Sequence, residues 1–237
     1  MDSIAATERQ RVIGTLGVVI AVSVAVILGA HPFGDTELYD DGAEFVDHVG
    51  WFWVVIHVVG AVLFLGIPTV MSTWAEMLHT SAGQVFGRVA ASISTGAVAL
   101  AVLHFVGTDT TSFIAYKDTL ASGQDGAAVG ADVLVRIHAA TLMALVITLF
   151  VAMPLAAALA TALDGDRGWR FGLPMAIGGL SVAAASVTLM ERQWTTLSEM
   201  GLLRPAITLF VIWFGLIGYG LRREATAAQT DPGDQQP

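Results

Sequence analysis

Apolar positions along this chain come in long unbroken runs, not in the alternating or one-faced patterns of water-soluble elements. Six runs stand out, approximately Val12 to Ala30, Trp51 to Met71, Val89 to Val106, Val133 to Leu163, Phe171 to Met190 and Pro205 to Leu221. Each has the length that an α-helix needs to cross about 30 Å of hydrocarbon. Lipid offers no partner to a free backbone group, so such runs must be helical throughout. Strand-like alternation over about ten residues, the signature of a membrane barrel, is absent. The pattern predicts an all-α integral membrane bundle of six transmembrane helices, forming a single domain over residues 1–224. The polar tail 225–237 reads as disordered. Pro68 and Pro154 are expected to kink the second and fourth helices, because proline lacks the N–H that serves the carbonyl four residues back. The fourth run is long enough to tilt or to project beyond the bilayer.

The first run has a competing reading as a secretory signal, since Leu28, Gly29 and Ala30 offer small residues at its end. Its length, and a leader whose Asp2, Glu8, Arg9 and Arg11 cancel in charge, favour a permanent helix. Orientation follows from the bases in short loops. With the N-terminus inside, the cytoplasmic side holds Arg9, Arg11, Arg88, Arg167, Arg170, Arg222 and Arg223, and the outer side Lys117, Arg136, Arg192 and Arg204. That excess predicts both termini in the cytoplasm and a multi-pass protein of the cell membrane. Trp51, Trp53 and Trp194 then fall at the outer interface and Trp74 and Trp169 at the inner one, as an aromatic belt requires, with Trp213 near mid-membrane.

Composition sharpens the picture. Hydrophobic residues make up 55% of the 237 and charged residues 13%, against roughly 25% charged in a soluble domain. Mean hydropathy is +0.70. The net charge of −9, with one lysine, leaves no basic footprint for nucleic acid. The absence of cysteine excludes disulfides and thiolate metal sites.

Candidate chemistry comes from combining depth with orientation. Five of the six histidines fall on the outer side, and three of those lie within helices: His57, His104 and His138. His57 is six residues below the outer end of its helix, about 9 Å deep at 1.5 Å per residue. His104 and His138 occupy the same slab on the next two helices, bordered by Asp109, Glu191, Arg136, Arg192 and Arg204. Ionisable groups at this depth are expensive and usually face the bundle interior or one another. His57, Gly60, Ala61 and Phe64 share one helix face, where small residues allow close approach by a helix or a flat ligand. His138, Thr141, Leu142 and Leu145 form a similar stripe. Three imidazoles in one slab suit a transition metal, a b-type haem held between two of them, or a proton relay. In either cofactor case Arg136, Arg192 and Arg204 at the rim are placed to hold anionic groups. The plainer reading is that each histidine makes a helix-to-helix hydrogen bond, and that His104 reaches interfacial water.

Other features carry less. Glu76 and His79 form a single Glu-x-x-His pair, whereas a di-iron bundle needs two such pairs and two further glutamates, so an interfacial surface pair is expected. The acidic run Asp35 to Asp47 lacks the spacing of a calcium loop and reads as a solvated loop. Phosphate-binding, zinc-protease and hydrolase motifs are absent, and no lysine lies within a helix to form a retinal Schiff base. Gly179-x-x-x-Ala183, Gly215 and Gly218 mark small-residue faces for packing within the chain or with a homo- or hetero-oligomeric partner. In architecture the chain resembles small b-type cytochromes. Those with two haems carry paired histidines down shared helices, and no helix here has such a pair. Three functions follow as expectations: a haem- or metal-binding membrane redox protein, a small-solute binding or transport subunit, or an accessory subunit of a membrane complex.

Overall fold

The computed structural model describes residues 3–30, 42–110, 137, 140–191 and 196–230. Among these the chain forms α1 (Ser3–Ala30), α2 (Gly42–Phe64), α3 (Ile67–Glu76), α4 (Ser81–Val102), α5 (Met153–Leu163), α6 (Trp169–Glu191) and α7 (Thr196–Thr230). Two wider-wound stretches interrupt the sequence of α-helices, π1 (Leu103–Thr110) and π2 (Val146–Ala152). No strand occurs among the described residues.

Five stretches are long and apolar enough to cross a membrane: Ala5–Gly29, Trp51–Glu76, Ser81–Gly107, Ala140–Leu163 and Leu203–Gln229. The 23 residues of α6 give it the length of a sixth. Large aliphatic side chains such as Val22, Val26, Val62, Val85 and Ile147 are exposed around the outside of the bundle. In water such a surface would drive aggregation; in a bilayer it is the lipid face. The architecture is that of an all-helical multi-pass membrane protein.

The first and last helices form the tightest seam. A methyl on Gly14 would lie 2.7 Å from the Gly218 carbonyl oxygen, and one on Gly215 would lie 3.2 Å from Cβ of Ala21. Glycines let the two backbones touch, which is how helices associate where lipid removes the hydrophobic drive. The register runs antiparallel, so the start of α1 and the end of α7 share one end of the bundle. Gln10 donates to the Leu221 carbonyl across this seam at 3.3 Å. Its amide also lies 3.4 Å from Sδ of Met77, which places the α3–α4 loop at the same end. The last helix continues to Thr230, past the expected domain boundary at 224; residues 231–237 lie outside the described residues.

Prolines set the interruptions. Pro68 cannot serve the Phe64 carbonyl, and the chain turns at Leu65 and Gly66 before α3 restarts with Pro68 in its first turn. Pro154 likewise cannot serve Phe150, and the wider turns of π2 precede it, with the Met153 N–H reaching back to the Thr148 carbonyl. Inside α6, Pro174 leaves the Arg170 carbonyl without its intrahelical donor. The Thr161 hydroxyl of α5 lies 3.3 Å from that oxygen and ties the two helices together. The core holds aromatic and aliphatic side chains, with Trp213 and Phe214 of α7 fully buried and Phe210 packed edge-on to Phe150 of π2 at 5.3 Å.

At the termini end the connections are pinned by Asp164. Gly165, at φ 86°, closes α5 in a left-handed turn in which the Asp166 N–H reaches back to the Thr161 carbonyl. The Asp164 carboxylate accepts from the backbone N–H groups of His79 and Thr80 at 2.6 and 2.7 Å, and His79 Nδ1 stands 3.3 Å from its other oxygen. Thr80 in turn caps α4 by accepting from the Gly83 N–H at 3.0 Å. Partial burial pushes the Asp164 carboxyl upward, but the bonds donated by Thr80 and His79 outweigh it and hold its pKa below the usual carboxylate value. His79 is thus partnered by Asp164, while Glu76 is exposed.

Candidate functional site

The opposite end of the bundle holds a cluster of imidazole and aromatic rings. Along α2, His57, Gly60, Ala61 and Phe64 are all buried, as their shared face requires. Phe105, from the π1 turn that follows α4, lies across that face. Its ring centroid is 5.7 Å from His57 and 5.5 Å from Phe64, and a methyl on Gly60 would touch it at 4.0 Å. On the same π1 turn, the His104 ring is 5.3 Å from Phe105. The two histidines, from different helices, therefore share one aromatic neighbour. Both are buried, at 5% and 4% exposure. Within π1, His104 is buried and the adjacent Phe105 half-buried.

Hydrogen bonding orients both rings. His57 Nδ1 is 2.7 Å from the Trp53 carbonyl one turn back. A carbonyl only accepts, so Nδ1 carries the proton and, in the neutral ring, Nε2 carries the lone pair. The Trp53 ring packs on His57 with centroids 4.6 Å apart. His104 Nδ1 stands 3.1 Å from the Thr141 hydroxyl, a bond from the third apolar run to the fourth. A hydroxyl both donates and accepts, so this contact fixes the ring's direction without fixing its tautomer.

Of the six residues singled out from the sequence, His57 and His104 both neighbour the Phe105 ring. His138, Arg136 and Arg192 lie outside the described residues. Arg204 is exposed on α7, where its carbonyl accepts from Thr208 at 2.8 Å. Among the described residues no three histidine, aspartate or glutamate side chains stand close enough to share a metal ion. The sequence reading missed Phe105, Trp53 and Thr141 as members of this cluster. Thr141 was legible only as a neighbour of His138 on a helical stripe.

This arrangement has definite chemical capacity. Imidazole nitrogens ligate metals through the neutral ring. Donating the other ring N–H to a carbonyl is the second interaction that metal-binding histidines use to fix tautomer and orientation. The place beside Gly60, open to a flat ligand by sequence, is filled by the Phe105 ring, so a haem plane there would require that ring to leave. No protein family, curated protein or solved structure matches this chain.

Proposed function

We propose that this is a six-span protein of the cell membrane, with both termini cytoplasmic, whose outer end carries a transition-metal redox centre ligated by His57, His104 and His138. The observation that carries the reading is the convergence of two buried imidazoles, from separate helices, on the Phe105 ring. His138 precedes Thr141 by three residues in the sequence, and Thr141 is the partner of His104. Of the two cofactor forms, a bare ion suits the cluster better than b-type haem, because Phe105 fills the flat slot beside His57. Imidazole nitrogens suit copper, iron and zinc, of which copper and iron carry single electrons. Arg136, Arg192 and Arg204 are assigned to the rim, where they would attract an anionic redox partner.

The test is ligand removal. His57→Ala, His104→Ala and His138→Ala should each lower metal content to background while the protein still extracts and elutes as wild type does. Metal retained in all three variants would remove the assignment.

A second reading rests on the helix interruptions at Leu65–Gly66 and Val146–Ala152. Broken membrane helices expose backbone groups that can hold a small solute, as they do in transporters. Metal-free wild-type protein that binds a small solute would favour this reading.

A further inference from the structure

The termini end carries a groove that neither the histidine cluster nor the helix seams require. Trp74, Trp169, Arg170, Leu216, Gly220 and Glu224 line it. The lower wall is apolar, and the upper rim is an ion pair: the Arg170 guanidinium lies 3.3 Å from the Glu224 carboxylate. Asp166 stands on the other side of Arg170 at 3.9 Å, and the guanidinium lies 5.6 Å from the centroid of the Trp169 ring. The groove sits where the apolar stretch of α7 gives way to Arg222 and Arg223, the level of a membrane–water interface.

The geometry points to a phospholipid site selective for a zwitterionic ethanolamine headgroup. The phosphate is received by Arg170, the primary ammonium by Glu224, and an acyl chain runs down over Leu216 past Gly220. Three features select this occupant. The apolar wall under a charged rim matches a molecule with both parts, which a soluble anion lacks. Glu224 and Asp166 flank Arg170, the arginine that lines the groove, and favour a headgroup that carries a positive charge beside its phosphate. A choline headgroup has no N–H to give a carboxylate, and the Trp169 face that would hold its methyl groups already carries Arg170. Gly220 keeps the entrance open: a methyl there would approach only the Arg170 guanidinium, at 3.9 Å.

Native mass spectrometry of the full chain, released from detergent with acyl-matched ethanolamine, choline and glycerol phospholipids, tests this. The ethanolamine lipid should be retained roughly tenfold over the other two, the scale of one hydrogen bond to a charged group. Glu224→Gln should erase the preference over choline, and Arg170→Gln should abolish retention. Because either change also loosens the contact between α6 and α7, Gly220→Leu provides a second check: it fills the groove, leaves both charges, and should abolish retention as well. Equal retention of the three lipids, preference for the glycerol lipid, or an unchanged preference in Glu224→Gln or Gly220→Leu overturns the assignment.

Discussion

Gly14 and Gly218 bring the two ends of the chain into backbone contact. A Cβ on Gly218 would lie 2.8 Å from the Gly14 carbonyl oxygen and 2.7 Å from the Val18 nitrogen. Neither neighbour is a side chain that can swing away, so a methyl must separate the helices. Gly218→Ala should therefore cost about 1–3 kcal/mol, the range of overpacking a tight site. Gly179, with nothing within 4 Å of its absent methyl, is the matched control. Gly179→Ala should change stability by less than about 0.5 kcal/mol. Thermal unfolding in one detergent compares them, and equal losses would show that the seam is not what Gly218 serves.

Asp164 is expected to dominate the acid sensitivity of the termini end. Its folded pKa is lowered, so its contribution is fully present above the unfolded value, about 3.9, and is lost as pH falls through the folded value. Stability should be flat with respect to this group from pH 8 to about 5 and decline below about 4. Asp164→Ala removes the acceptor of two backbone N–H groups and should cost about 1–2 kcal/mol at neutral pH. Unfolding midpoints of wild type and variant across that pH range should converge in acid.

Thr141 should matter through its hydroxyl. Thr141→Val keeps the volume but removes the group that meets His104 Nδ1, and should cost about 1 kcal/mol. Thr141→Ser keeps the oxygen and should stay closer to wild type. If serine and valine behave alike, the contact does not orient His104.

How much of this was readable beforehand differs by feature. The spans were legible because lipid forces long apolar runs, and the burial of the His57 face followed from spacing and the cost of a polar group in hydrocarbon. The partnering was not. Phe105 lies in the π1 stretch, and nothing in Leu103–Thr110 announces its wider winding. Pro68 and Pro154 foretold interruptions, yet the first falls at Leu65 and Gly66, upstream of the proline, because the missing N–H is felt one turn earlier. Asp164 was overlooked because its partners are backbone groups more than 80 residues away. Its signal was the Asp164-Gly165 pair after an apolar run, the chemistry of a helix end.

The antiparallel α1–α7 seam puts the start of α1 and the end of α7 on one side of the bundle, the side that the proposed orientation places in the cytoplasm. A reporter active only in the cytoplasm, fused after Pro237, should give signal. An expressed but silent fusion would reverse the orientation and move the histidine cluster to the inner face.

The central claim is that the ring cluster at the far end of the bundle is a metal centre. It is tested most directly on wild-type protein, purified in mild detergent without chelator or added metal, by elemental analysis alongside the visible spectrum. The account predicts copper or iron near one ion per chain, with no intense haem band. Protein free of copper, iron and zinc and without a chromophore would contradict it, and a haem spectrum would show that Phe105 does leave its slot.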